Sequence, residues 1–288
     1  MQRRDGEGER LSAQIYRLPL RSPTLPPATT TNCYLLGERT ITVVDPAAVQ
    51  ASTRASLQKE LEVRVAAGAS IAGVFLTHHH RDHIGSAAWV AERYDCPIWA
   101  HRESAARLPE LSITKIGEGG LMIDDHPWQL VETPGHAPGH LCLVSESQGE
   151  AIVGDMVAGV GTILIEPTDG DMALYLQSLK RLASMKIQRL HPAHGAALTP
   201  AEQVLRFYIA HRLKREEKVY AALPAEGSLI SLKALVEVAY AEASPEARRG
   251  PRGGLAGLSA HAHLLKLQKE GRVEEREGLW ARRGDGVA

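Results

Sequence analysis

The chain has 288 residues, a hydrophobic fraction of 44% and 33 Lys+Arg against 34 Asp+Glu, for a formal net charge of −1. That supply of apolar residues excludes a largely disordered chain, and near neutrality excludes a chain-wide basic field for nucleic acid. The length suits one large domain or two ordinary ones, and no apolar run approaches the roughly 20 residues of a membrane span. Three cysteines, Cys33, Cys96 and Cys142, are odd in number and far apart. They exclude a disulfide framework and a zinc ribbon, fit a reducing, cytoplasmic compartment, and read as small core fillers.

Residues 1–10 are charged with no apolar block behind them, which predicts a disordered tail rather than a secretory signal. A first strand is expected over 11–20, before a connection rich in proline. The β-rich runs 31–36 and 40–45 flank Gly37-Glu38-Arg39, a hairpin signature. A helix follows over about 51–67, and then the apolar run 71–76, which predicts a buried strand. That strand leads into Thr77-His78-His79-His80-Arg81-Asp82-His83-Ile84-Gly85, and a helix is expected from Ser86 to Glu92. The histidines therefore fall where a strand hands over to a helix, a place where α/β proteins expose side chains on fixed ends.

Spacing gives this stretch its meaning. Alternate residues of an extended segment share a face, so His78 and His80 can reach one metal ion together. Asp82 and His83 lie past the turn and can serve a second. Imidazole and carboxylate without thiolate suit Zn²⁺, and also Fe or Mn. A purification tag would lie at a terminus and would not place a carboxylate before its last histidine.

Further along, a strand over 97–101 and a helix over 103–108 precede a strand-rich region from 113 to 155, and 171–185 forms an amphipathic helix. Three places in this half offer metal partners. They are His136 and His140 in the turn Thr133-Pro134-Gly135-His136-Ala137-Pro138-Gly139-His140, Asp155 at the end of an apolar strand, and His191 and His194 at another strand end. Each is weak alone, yet all share strand-to-loop context, which brings them to one rim of the fold. Two β-rich halves with helices outside predict a four-layer αββα sandwich of two facing mixed sheets.

Near Thr199-Pro200 the texture changes. Helices over 201–223, 231–242 and 258–269, a loose loop over 244–257 and a hairpin over 271–282 predict a winged-helix-like α+β module. The expected organisation is a tail at 1–10, a catalytic domain at 11–199 and this module at 200–288. Residues 200–288 hold 15 Lys+Arg against 12 Asp+Glu. Lys214, Arg215, Lys218, Arg248, Arg249, Arg252, Lys266 and Lys269 are available there for the phosphates of a nucleic acid, and a set of solvated helix and loop faces reads equally well.

The ordered set of His-x-His-x-Asp-His, the 133–140 turn, Asp155 and His194 resembles the metallo-β-lactamase-fold superfamily over residues 31–199. The Gly161-Thr162 loop, the Asp171 helix, the His211-Arg212 helix and the 264–271 segment extend the resemblance. They make the chain look most like the lactamase-β-like branch that carries a winged-helix tail and includes a mitochondrial single-strand endoribonuclease. The resemblance implies that His78, His80 and His136 hold one metal ion, that Asp82, His83 and His194 hold another, and that Asp155 bridges them. It leaves His140 to orient a ligand or pack the loop and His191 to pack; His101, His126, His211, His261 and His263 take surface or core roles.

Two zinc ions (Zn²⁺; Mn²⁺ or Fe as alternatives) would lower the pKa of a shared water from about 9 on aqueous Zn²⁺ toward roughly 7. Asp82 and Asp155 would act as the catalytic carboxylates. The implied reaction is metal-assisted hydrolysis of phosphodiester bonds in single-stranded RNA. The alternative is a thioester or lactone on a small acyl substrate, as in glyoxalase II-like hydrolases. A genuine β-lactamase fits least, because those enzymes usually lack the bridging acid.

Overall fold

Short runs of β-branched and aliphatic residues build the first sheet of the computed structural model, which describes residues 6–224, 228–250 and 253–283. Its strands are β1 (Glu9–Arg10), β2 (Ile15–Arg21), β3 (Thr30–Leu36), β4 (Thr40–Val44), β5 (Ser70–Phe75), β6 (Ile98–His101) and β7 (Ile113–Ile116), side by side in chain order. The β1–β4 pairs are antiparallel and the β4–β7 pairs parallel. Parallel neighbours require crossovers. Helix α1 (Ala51–Ala66) supplies the first, α2 (Arg81–Ile84) and α3 (Ala87–Tyr94) the second, and α4 (Arg102–Ala106) the third.

A second sheet contains β8 (Gly119–Ile123), β9 (His126–Glu132), β10 (Leu141–Ser145), β11 (Glu150–Gly154) and β12 (Arg189–Pro192), in the order β12-β11-β10-β9-β8. Only its β11–β12 pair is parallel. The period of two along each strand divides the core. In β3, Tyr34 and Leu36 pack with Phe75, Trp128, Leu141 and Ile152 between the sheets. Cys33 and Leu35 face the other way, with Leu57 and Leu61 of α1 and Val90 of α3. Both facing mixed sheets are thus as expected.

The described chain forms two compact units. The first holds residues up to Thr133, Pro138–Ile163 and Leu182–Val204; the second holds Pro134–Ala137, Leu164–Arg181 and the chain from Leu205 onward. The second unit contains most of α5 (Met172–Ala183) and α6 (Ala201–Ala221). It continues with β13 (Ile230–Ser231), α7 (Leu232–Ala239), α8 (Pro245–Arg248), α9 (Gly254–Lys269), β14 (Val273–Arg276) and β15 (Leu279–Arg282). Leu235, Val236, Leu264, Leu267, Val273 and Trp280 form its core beside a small β13-β15-β14 sheet. This is a winged helix.

Several local expectations change. Glu9 and Arg10 are not a disordered tail: they pair with Arg17 and Tyr16, and Gly6 N–H donates to the Pro19 carbonyl at 2.9 Å. Residues 1–5 of that tail lie outside the described residues. The first long strand starts at Ile15 rather than 11, because Leu11 and Ser12 both turn back to donate to the Ile15 carbonyl. The expected loop over 244–257 holds helix α8, where Pro245 sits in the first turn and the Ser244 side chain accepts the Ala247 N–H. Helix α9 begins at Gly254, four residues before the expected start.

Candidate metal centre

The histidine run is held by a carboxylate behind it. Asp45, at the end of β4, adopts φ 48° and takes the Thr77 N–H on one oxygen at 2.8 Å and the Thr77 hydroxyl on the other at 2.7 Å. This joins the ends of β4 and β5 just before His78. The chain bends at Thr77 and His78, is extended at His80 and then makes one helical turn, α2, which carries Asp82 and His83. Ser86, expected to open a helix, is the N-cap of α3, and its N–H is bound to the Pro46 carbonyl at 2.7 Å.

The first unit brings His78, His80, Asp82, His83, Asp155 and His194 together. His78 Nε2 and His80 Nδ1 lie 2.9 Å apart. His83 Nε2 is 3.9 Å from Asp82 Oδ1 and 3.7 Å from Asp155 Oδ1. His194 Nε2 is 3.6 Å from Asp82 Oδ2 and 3.3 Å from Asp155 Oδ1. Ligands about 2.1 Å from one tetrahedral ion would stand about 3.4 Å from each other. The donors of Asp82, His83, Asp155 and His194 are spaced accordingly, and Asp155 also groups with His78 and His83.

His83 is fully buried, and its Nε2 makes no hydrogen bond. Leaving a buried nitrogen so placed costs about 1–3 kcal/mol, which a cation at the shared point would offset. The opposite ring nitrogens are committed. His83 Nδ1 lies 2.9 Å from Asp45 Oδ2, His194 Nδ1 3.0 Å from the Thr30 carbonyl, and His78 Nδ1 3.1 Å from the Thr77 hydroxyl. Such contacts fix the tautomer and aim the other nitrogen at the metal. The residues present fit divalent ions.

Burial alone would push His83 toward neutrality, but Asp45, Asp82 and Asp155 outweigh it and hold the imidazole up to about 10. His194 is raised in the same way, by Asp155 against burial. Three carboxylates converging on buried imidazoles form a field that favours cations, and a metal entering it displaces protons.

His136 lies on the Pro134–Ala137 segment of the second unit, where its Nδ1 is 2.9 Å from the Leu164 carbonyl. His140 is buried; its Nδ1 meets the Thr133 hydroxyl at 2.8 Å and its Nε2 accepts the Asp155 N–H at 3.2 Å. His191 is buried in the core, bonded to Glu150 and edge-on to Tyr34. His101 bonds Glu132 at 3.0 Å, His261 meets Trp280 and His263 meets Glu216. Asp45 was missed from the sequence, although it shares the strand-end context of Asp155.

The cations nominated for phosphates are mostly engaged. Arg248 pairs with Glu237, Lys266 with Glu216 at 2.8 Å and Glu270 at 2.7 Å, and Lys269 with Asp171 at 2.6 Å. Their charge is neutralised by acids close in space. Arg249 has no ion pair among the described residues, and Arg252 lies outside them.

Two facing mixed sheets with an imidazole–carboxylate cluster at strand ends, together with a winged helix, define a class of proteins by fold and site. Residues 26–194 match the metallo-beta-lactamase superfamily and residues 231–280 the beta-lactamase associated winged helix domain. The chain belongs to the metallo-beta-lactamase superfamily.

It is 28% identical over 293 residues to the "Beta-lactamase-like protein 2 homolog" of Drosophila melanogaster, covering 92% of this chain and 91% of the fly protein. It is 31% identical over 195 residues to the thioesterase pkgB of Emericella nidulans, covering 67% of this chain and 54% of the fungal protein. The chain spans 66% and 60% of the length of two lactamase-like fungal proteins that it also matches. A beta-lactamase domain protein from Burkholderia ambifaria has the same fold, with a TM-score of 0.82 at 23% identity over 97% of this chain and 94% of that one. Among the described residues, no helix is long and apolar enough to cross a membrane.

Proposed function

We propose that the chain is a dinuclear, zinc-dependent hydrolase that cleaves phosphodiester bonds in single-stranded RNA. The donor spacing around His83 Nε2 carries the metal-dependent part of this reading. His78 and His80, with His136 by family resemblance, would hold one ion; Asp82, His83 and His194 would hold the other, with Asp155 shared. The same donors accept Mn²⁺ or Fe. Bound divalent ions supply Lewis acidity at the attacked group and an acidified water as nucleophile.

The chain's own residues prepare that chemistry. Asp45 fixes His83 directly and His78 through Thr77. His140 holds the Asp155 backbone, and with it a carboxylate that would help hold the ions. The Asp82 carboxylate, 16% exposed, would both bind an ion and orient the nucleophile.

RNA is favoured by the resemblance to the winged-helix branch that includes a single-strand endoribonuclease, supported by the winged-helix match over residues 231–280. The name of the Emericella thioesterase favours a second reading, hydrolysis of an acyl thioester or lactone at the same centre. The test is a panel of metal-loaded assays with a single-stranded RNA oligonucleotide, an acyl thioester and a lactone. RNA cleavage that disappears in Asp155→Ala supports the first reading. Thioester or lactone turnover without RNA cleavage would replace it with the second.

A further inference from the structure

Helix α6 presents an exposed strip that neither the metal centre nor the winged-helix core uses. Phe207, His211, Lys214 and Lys218 recur at spacings of three and four, so they share one side of the helix. All four are exposed, Phe207 to 67%. A phenylalanine so placed leaves about 1.5–3 kcal/mol of burial unrealised. Its ring lies within 24° of parallel to the His211 ring, with centroids 6.2 Å apart. Two nearly parallel, stacked aromatic rings thus stand on the exposed strip.

Cations stand next to them. His211, Lys214, Arg215 and Lys218, with Glu242, line a hollow of about 210 Å³. Glu242 is a single carboxylate serving both Arg215 at 2.9 Å and Lys218 at 2.6 Å. Lys214 has no ion pair among the described residues. Glu216 is buried on the opposite side, and by the helical period Glu217 falls to the flank. His211 is pushed below its ordinary value by partial burial and then by Arg212, Arg215, Lys214 and Lys218, as expected where positive potential dominates.

Aromatic faces interleaved with cations are what a single strand needs, since any base stacks and the backbone follows the charge. The twelve residues from Phe207 to Lys218 span about 16 Å of helix. That length suits a run of nucleotides better than one nucleotide. A second copy of this chain fits worse, because a two-fold contact here would set Lys214, Arg215 and Lys218 against themselves.

We propose that this face of α6 binds a single-stranded RNA segment, with bases on Phe207 and His211 and phosphates on Lys214 and Lys218. The inference rests on the phosphodiester reading above and adds where the strand is held.

The test is fluorescence anisotropy with the full metal-loaded chain and a labelled ten-nucleotide RNA, with strand integrity followed on gels. Phe207→Ala should weaken binding about ten-fold with little change in salt dependence, the size of one base–aromatic stack. Lys214→Ala with Lys218→Ala should weaken it and reduce the salt slope by about 0.7 for each lost contact. Hydrolysis of bis(p-nitrophenyl) phosphate, which has no base run or phosphate backbone to hold, should be unchanged in both variants. Wild-type RNA affinity in both variants would overturn the site, and continued RNA cleavage would then leave the enzymatic reading intact. A wild-type chain that turns over the small diester yet neither binds nor cuts RNA would overturn both. A dimer lost on Phe207→Ala, read by sedimentation, would assign the face to self-association and overturn the RNA site.

Discussion

His83 Nδ1 lies 2.9 Å from Asp45 Oδ2, while the other Asp45 oxygen holds the Thr77 N–H at 2.8 Å. One buried acid thereby anchors the backbone before the histidine run and the ring of its last member. Its Oδ2 also accepts the Thr77 hydroxyl, whose oxygen faces His78 Nδ1. With both Nδ1 positions donating, both Nε2 atoms keep a lone pair for metal. Asp45→Asn should therefore lower metal affinity about 10- to 100-fold, the usual cost of losing an outer carboxylate. Asp45→Ala should also lose about 1–3 kcal/mol of stability, because it strands the buried Thr77 N–H. Competition against a chromophoric chelator, with thermal melts, separates the two effects. Unchanged affinity in Asp45→Asn would remove Asp45 from the metal centre.

Asp155 should matter more to turnover than to folding, since it ends a strand rather than filling the core. The wild-type chain should take up two ions under saturating Zn²⁺ or Mn²⁺, measured by plasma mass spectrometry. Asp155→Ala should cut turnover by about two orders of magnitude or more, from the several kcal/mol that a positioned metal supplies. His140→Ala should do less, about 10- to 100-fold, because it reaches the metal only through the Asp155 backbone. A folded wild-type chain that saturates below two ions defeats the dinuclear assignment.

The turn that delivers Asp155 has no room to spare. Gly154 sits at φ +46°, and a Cβ there would lie 2.6 Å from His140 Nε2 and 2.9 Å from the Thr77 hydroxyl oxygen. Gly154→Ala should lower stability by about 1–2 kcal/mol from the left-handed backbone alone. It should also reduce activity further by moving His140 away from the Asp155 N–H. Gly120→Ala, where an added Cβ meets nothing within 4 Å, is the matched control. Equal activities in the two variants would show that the contact between His140 and Asp155 is dispensable.

The sequence announces features whose physics is local. The apolar run before His78 and the β-rich flanks of Gly37 appear as strands β5, β3 and β4, since burial on both faces selects continuous hydrophobic runs. Asp45 is different. It ends an apolar run as Asp155 does, but its role depends on parallel pairing with β5, which brings residue 45 beside residue 77. The α2 turn was hidden because Arg81-Asp82-His83-Ile84 has no strong helix signal; a single turn there is fixed by its ends. Strand β1 escaped because a two-residue edge strand carries no periodicity. The pairing of Lys266 and Lys269 with acids was equally invisible, since Glu216 and Asp171 lie far away in sequence.

The winged helix should report pH through Glu216. This residue is 6% exposed and accepts from Lys266 at 2.8 Å, with His263 at 3.4 Å. Burial raises its carboxyl, but the bonds from His263 and Lys266 outweigh it and hold the group below its ordinary 4.5. His263 is held below its ordinary 6.5, chiefly by burial. Both folded values lie below the unfolded ones, so both groups bind protons more readily when unfolded. The stability they contribute is present above the unfolded values and is lost as pH falls, first below about 6.5 through His263 and then below about 4.5 through Glu216. Lys266 has the opposite sign: raised by Glu216 and Glu270 against burial, it stabilises below its ordinary 10.5 and loses this only as pH climbs through its folded value. Calorimetric melts of the full chain should therefore show this unit most stable between about pH 6.5 and 10. Glu216→Gln should lower its stability by about 1.5–3 kcal/mol at pH 7, the worth of hydrogen bonds to a charged group. The difference from wild type should shrink at pH 4. Melting curves for wild type and variant that run parallel from pH 4 to 7 would show that the Glu216 charge contributes nothing to holding the unit together.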